Sequence, residues 1–234
     1  MKIRIKFLKQ GSMKFIGHLD MMRYFQKVMR RAGVDIRYSE GFSPHQIMSF
    51  AAPLGVGITS SGEYFDIEVL STDSSVVMVD RINQVMPEEI RVLNYRRLDD
   101  SDKNAMSLVA AADYTLTFRQ GYEPKDLNEF FRDLDTFYHQ PEIRIVKKTK
   151  RGHKDMDLKP LIYRLDRHGD AVFLQVSTGS TDNIKPELVM ETFYESRHEI
   201  YPKFAFQIHR EEVYGQKDGT GALIPLEEFG EDIE

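Results

Sequence analysis

His18 and Asp20 stand two residues apart in the run Lys14-Phe15-Ile16-Gly17-His18-Leu19-Asp20, at the entrance to an amphipathic segment. Histidine changes charge near neutral pH, so a His on a turn suits a general base, a phosphate contact or a metal ligand. An acidic Asp20 suits the positive end of a helix. A second run, Tyr38-Ser39-Glu40-Gly41-Phe42-Ser43-Pro44-His45, continues through Ser49-Phe50 to Pro53-Leu54-Gly55-Val56-Gly57. Its glycines and prolines demand particular backbone angles rather than free motion. Ser39, Ser43 and His45 supply polar groups, and Phe42 and Phe50, with Tyr38 nearby, supply rings. That mixture suits a phosphate or a nucleobase. Gly55-Val56-Gly57 lacks the strand–turn–helix setting of a dinucleotide fingerprint.

The catalytic candidates are therefore His18, Asp20 and His45. A metal-independent RNA cleavage would use His18 and His45 as base and acid, with Lys150 or Lys185 stabilising the phosphorane. No spacing forces the two histidines together, and the same residues serve equally as helix capping and loop bracing. Two His and a carboxylate can also ligate a metal, but a helix separates these segments, and no metal or other cofactor is expected. Two further motifs are Lys150-Arg151-Gly152-His153 and Gly179-Ser180-Thr181-Asp182-Asn183-Ile184-Lys185-Pro186. The second precedes a helix, where free amides with Asn183 and Lys185 could hold a phosphate.

The charge is uneven. The net formal charge is −5, yet residues 1–50 hold ten Lys/Arg against three Asp/Glu, and residues 51–100 hold four against nine. Arg23, Lys27, Arg30 and Arg31 recur at i, i+4, i+7 and i+8, a basic stripe on one helix face. A second island runs through Arg144, Lys147, Lys148, Lys150, Arg151, Lys154 and Lys159. Such patches bind polyanions on an acidic protein, because the local field dominates within about 10 Å at 0.1 M salt. A solvated helix face and a charged hairpin are the alternative reading.

The elements that must position these groups follow from periodicity. Ile3, Ile5 and Phe7 alternate with Lys2, Arg4 and Lys6, which predicts a half-buried strand. Leu19, Met22, Phe25, Met29 and Ala32 predict a helix that stops at Gly33. Strands are predicted over 34–38, 63–69 and 90–96, a long loop over 39–62, and a helix over 74–86. After a linker at 97–111 the order repeats. A strand over 113–119 leads to a helix that Pro124 opens and that carries Leu127, Phe130, Phe131, Leu134 and Phe137. Strands at 142–149, 160–166 and 170–177, a helix from Pro186 and a strand at 203–210 complete it. The repeated unit is a split βαβ arrangement, so the expected fold is α+β, with tandem ferredoxin-like halves and antiparallel sheets. The expected domains are 1–98 and 112–214, followed by a loosely ordered acidic tail at 215–234.

Composition closes off other classes. The 234 residues are 41% hydrophobic and 29% charged, an ordinary globular mix, and contain no cysteine. Disulfides, thiolate catalysis and Cys-ligated iron–sulfur clusters are excluded. The segment MKIRIKFLK has no unbroken apolar core, and the longest nearly apolar run, Met48 to Ile58, is too short for a bilayer. A cytoplasmic protein without membrane contact is expected.

Together Lys14-Phe15, Gly17-His18-Leu19-Asp20, Arg31-Ala32-Gly33, Tyr38 to His45, Ser49-Phe50-Ala51, Pro53-Leu54, Gly57, Glu63-Tyr64-Phe65-Asp66 and Asn183 with Lys185-Pro186-Glu187 resemble one family. It is the uncharacterised domain linked to, or encoded beside, radical SAM proteins. The chain departs from that pattern at Gln46-Ile47. The resemblance implies a radical SAM partner, and the absence of cysteine assigns the cluster chemistry to that partner. The tandem architecture also resembles the RNA-binding proteins of CRISPR repeat processing, at the level of fold alone. The expected function is an accessory RNA-binding module for tRNA or rRNA. It would grip phosphates through Arg23, Lys27, Arg30, Arg31, Lys147, Lys148, Lys150, Arg151, Lys154, Asn183 and Lys185, and bases through Tyr38, Ser39, Phe42, Ser43 and His45. The alternatives are the His18/His45 endoribonuclease and a protein-only adaptor of the radical SAM enzyme.

Overall fold

The computed structural model describes residues 1–149, 152–180, 182–217 and 221–234, with side chains for all of these except 147–149 and 152–154. The chain divides into two units, Met1–Ala111 with Arg210–Glu234, and Ala112–His209. Both are α+β, with mostly antiparallel strands. Among the described residues no helix is long and apolar enough to cross a membrane.

In the first unit, β1 (Lys2–Lys9) buries Ile3, Ile5 and Phe7 on one face, as alternation requires. α1 (His18–Arg31) covers that face with Met21, Phe25, Val28, Met29 and Ala32. Leu19 is exposed, because the buried row runs through Met21 instead. Gly33 stops the helix with φ +64°. Its N–H donates to the Arg30 carbonyl at 3.2 Å, and the Val34 N–H to that of Met29 at 3.0 Å, a left-handed C-terminal stop that favours glycine.

The strand expected over 34–38 is reduced to isolated bridges, Ile36 with Val69 and Tyr38 with Gln46. The strand on that side is β2 (Met48–Phe50), paired to the second half of β3 (Thr59–Glu68). α2 (Ser75–Asn83) and β4 (Ile90–Leu98) follow. β1 pairs antiparallel with both β3 and β4, so the local order is β4-β1-β3-β2. Rings of Phe7, Phe25, Phe50 and Phe65 fill the centre. Phe25 lies 4.7 Å from Phe7 and 4.6 Å from Phe65, and Phe50 stacks on Phe65 at 5.0 Å.

Two expectations fail here. Residues 97–111 are not a linker: β4 runs to Leu98, α3 (Ala105–Leu108) follows, and β5 (Val109–Phe118) begins. The Ala105 N–H donates to the Asp66 carboxylate at 2.7 Å, which pins the segment to the sheet. Nor is 215–234 a separate, loosely ordered tail. β11 (Leu223–Pro225) pairs with the end of β10 (Phe206–Gln216), and β12 (Glu231–Asp232) pairs with β4. Leu226 is fully buried, and Ile233 packs against the core. The acidic residues meet cations that β1 and β4 present. Lys6 holds both Glu212 and Glu227 at 2.6 Å, and Arg96 holds Asp232 at 3.2 Å. Burial alone would lower the Lys6 pKa, but its bonds to the two carboxylates outweigh that and raise it.

In the second unit, α4 (Leu127–Tyr138) starts at an Asp126 cap, whose carboxylate accepts from the Glu129 N–H at 2.9 Å, rather than at Pro124. β6 (Arg144–Thr149) and β7 (Gly152–Asp157) form a separate hairpin, where one strand was expected. β8 (Ile162–His168), β9 (Ala171–Ser177) and α5 (Pro186–Ser196) lead to β10. The order β10-β5-β9-β8 repeats that of the first unit: fourth, first, third, second. Phe130 packs against Phe193 at 5.2 Å, and Phe137 against Phe193 at 5.5 Å.

Within the first unit Arg210 and Glu63 form a two-bond ion pair with side chains only 3% and 6% exposed. Removing one partner leaves a buried charge. Glu63→Ala should therefore cost about 3–5 kcal/mol, read from urea unfolding, and Glu63→Leu with Arg210→Met should cost much less. An unchanged unfolding midpoint for Glu63→Ala would contradict the assignment.

Candidate nucleic-acid interface

α1 lays its apolar row on the sheet, so the opposite face looks to solvent and carries Arg23, Lys27, Arg30 and Arg31, all exposed. Arg23 pairs with Asp20 at 3.0 Å, both side chains about 70% exposed, a contact that contributes at most about 1 kcal/mol. Asp20 lies in the first turn and caps nothing; the cap position is Gly17, without a side-chain bond. Among the described residues Lys27, Arg30 and Arg31 form no ion pair.

The loop at 38–46 rises beside this face. The Tyr38–Gln46 bridge closes its base. Ser39 and His45 then lock together: the Ser39 N–H donates to the His45 carbonyl at 2.8 Å, the His45 N–H to Ser39 Oγ at 3.1 Å, and Ser39 Oγ lies 2.9 Å from His45 Nδ1. Gly41, with φ +109°, turns the tip and leaves Phe42 fully exposed. Ser43 and Pro44 are exposed as well. Gln26, Arg30, Tyr38, Pro44, His45 and Gln46 line a cavity of about 200 Å³ between loop and helix. Gln46 is buried, with its amide nitrogen donating to the Gln26 carbonyl at 3.2 Å. Sequence reasoning had marked Gln46 only as a departure from a family pattern. A Gln between an exposed His45 and a half-buried Ile47 gives no periodic signal of burial.

Phe50, expected to stack bases, is buried in the core, because β2 seats it against Phe65. His18 lies edge-on to Phe50 at 5.4 Å and lines a narrow pocket with Lys9, Met21, Leu54 and Glu63. Burial lowers the pKa of His18, and Glu63 partly opposes this. Burial likewise lowers that of Lys9, whose ammonium donates to the Ile16 carbonyl at 2.8 Å. His45 instead lines the cavity beside Arg30 and a larger one of about 480 Å³ with Lys2, Asp66 and Asn104. His45 and Phe50 are five residues apart along extended chain, roughly 16 Å. His18 and His45 thus line different cavities. No three His, Asp or Glu residues come together to hold a metal among the described residues.

In the second unit, the β6–β7 register sets Lys147 opposite Lys154 and Lys148 opposite His153. Lys150 and Arg151 lie outside the described residues, as do the side chains of Lys147, Lys148 and Lys154. The ends of this island are already engaged: Arg144 pairs with Glu142 at 2.6 Å, and the Lys159 ammonium lies 3.6 Å from the Tyr138 ring. Asn183 and Lys185 are exposed before α5. Lys185 is the cap residue and makes no side-chain bond there, so neither Asp182 nor Asn183 caps the helix.

The family model for uncharacterized proteins conserved in bacteria, DUF2344, matches residues 2–186. The chain belongs to the DUF2344 family. The match takes in the α1 face, the 38–46 loop and the whole β6–β7 hairpin, so the candidate interface is built from the part of the chain that defines DUF2344 membership. No curated protein matches the sequence.

A histidine whose folded pKa is lowered contributes stability above the unfolded value, about 6.5, and loses it as pH falls toward the folded value. The melting temperature should therefore drop between pH 7.5 and 5.5, and His18→Gln should flatten part of that drop. An identical slope in His18→Gln would show that His18 does not carry it.

Proposed function

We propose that this protein is an RNA-binding accessory module, acting on tRNA or rRNA beside a radical SAM partner enzyme. The observation that carries the reading is the juxtaposition on the first unit. A basic helix face, whose Lys27, Arg30 and Arg31 form no ion pair among the described residues, adjoins a braced loop that displays the Phe42 ring and shares a cavity with Arg30, Tyr38 and His45. Exposed cations follow a phosphate backbone and an exposed ring stacks a base, the two contacts that single-stranded RNA offers. Ser39 and Ser43 stand on the same loop as further hydrogen-bonding groups. The shared strand order of the two units, fourth-first-third-second with helices after the first and third strands, supports a tandem of ferredoxin-like halves. The radical SAM partner rests on the motif resemblance; without cysteine this chain cannot itself ligate the cluster that such chemistry uses.

Fluorescence anisotropy with bulk tRNA tests the reading. Affinity should fall steeply with salt, and Arg23→Glu with Lys27→Glu should weaken it more than tenfold and flatten the log–log salt slope by about 1.4, two contacts' worth on single-stranded RNA. Phe42→Ala should weaken binding without changing that slope. Salt-insensitive binding, or none at micromolar protein, would overturn the RNA role. Recovery of a radical SAM protein with the tagged chain after nuclease treatment, against its loss, separates a protein-held partner from one bridged by RNA.

A further inference from the structure

The turn that leads from α5 into β10 displays a side chain that the function above does not use. Phe204 is 75% exposed, and its φ of +68° lies in the left-handed region. The Ala205 N–H donates to the Pro202 carbonyl at 3.0 Å and closes the turn Pro202-Lys203-Phe204-Ala205. Phe204 holds its third position, where a positive φ ordinarily selects Gly or Asn. The other left-handed non-glycine among the described residues, His198, has a plain role. It ends α5, with its N–H on the Glu195 carbonyl at 2.9 Å and the Glu199 N–H on that of Tyr194 at 3.0 Å. Phe204 has no such role. A phenyl group in this backbone region is strained, and with three quarters of its surface open to solvent the side chain buries little to offset the strain. The ring that anchors this loop is Tyr201, 5.6 Å from Tyr194 and 6.5 Å from Phe206, with its pKa pushed up to about 12, chiefly by burial.

The same turn carries two cations. Lys203 is its exposed neighbour in the chain. Arg119 is exposed and fixed at the turn, its N–H on the Ala205 carbonyl at 2.8 Å and its Nε on the Phe206 carbonyl at 3.2 Å. Of the acids around this loop, Glu123 accepts from the Gly121 N–H at 2.7 Å and Glu199 pairs with Arg197 at 3.0 Å, while Glu187 and Glu191 act on the half-buried Tyr201 ring. An exposed aromatic face on a turn that also carries two cations fits an unpaired base with its adjoining phosphates.

We infer that this turn is a base-stacking site of the second unit, with Phe204 under an unpaired nucleobase of RNA and Lys203 and Arg119 on the flanking phosphates. The inference rests on the RNA-binding reading and adds a contact that the basic motifs did not reveal.

Phe204→Gly separates display from structure, because glycine accepts the positive φ without strain. With the full chain and a ten-nucleotide oligouridine probe, Phe204→Gly should bind about fivefold or more weakly. Its melting temperature should be equal to or above that of the unaltered protein. A matching abasic ribose-phosphate oligomer should bind both proteins alike. Destabilisation by Phe204→Gly would make the ring structural and overturn the inference. Unchanged oligouridine affinity would overturn it too and leave the turn to a protein partner, while the RNA role of the first unit stands. Failure of the unaltered chain to bind either oligouridine or tRNA would remove both.

Discussion

Arg4 is the charge around which the first unit closes. It sits on β1, almost wholly buried, opposite Asp66 on β3. Two parallel bonds of 2.9 and 3.0 Å join guanidinium and carboxylate. A buried charge of this kind is tolerable only if its remaining donors and acceptors are met. They are met by distant pieces of chain: Arg4 Nη1 donates to the Leu226 carbonyl at 3.1 Å, and Asp66 accepts from the Ala105 N–H. The face of the sheet away from α1 is therefore closed by residues from beyond β4, and the acidic C-terminal residues become part of the fold. Lys6, Tyr64, Glu212 and Glu227 extend the same network.

This arrangement bears on function through the fate of the cations. Of the ten lysines and arginines in the first fifty residues, the four on β1 are consumed internally: Lys2 by the Asp100 and Asp102 carbonyls, Arg4 by Asp66, Lys6 by Glu212 and Glu227, and Lys9 by the Ile16 carbonyl. Those on the outer face of α1 keep their charge for solvent. Apart from Lys14, which lies over the Phe15 ring, and Arg37, which pairs with Glu68, the positive charge of the N-terminal part thus forms two populations, one that holds the sheet and one that is offered outward beside the 38–46 loop.

Much of this was readable in the residues. The alternation through Ile3, Ile5 and Phe7, the stop at Gly33, and the aromatic stripe of α4 depend on neighbours within one or two turns, so local pattern suffices. The solvent-facing position of Arg23, Lys27, Arg30 and Arg31 followed from the same periodicity. Other readings went astray where a distant partner decides. Phe42 and Phe50 look equivalent in the chain, yet one is fully exposed and the other stacks on Phe65. His18 and His45 look like a pair, yet one end of β2 carries His18's ring partner and the other leads away to the loop. The C-terminal segment looks disordered by composition, because the cations that neutralise it lie more than a hundred residues earlier.

Local chemistry alone settled the α+β class, the strongly periodic elements such as β1, α1 and α4, the exposed basic face of the first helix and the impossibility of a cysteine-bound cluster. Those properties depend on spacing and composition, which no later fold can alter. Tertiary contact decided which rings are displayed, which carboxylates are spent on buried cations and where the last twenty residues go. Burial and ion pairing are set by groups far apart in the chain, and the backbone strain at Phe204 is a property of the closed turn that its residue types do not announce.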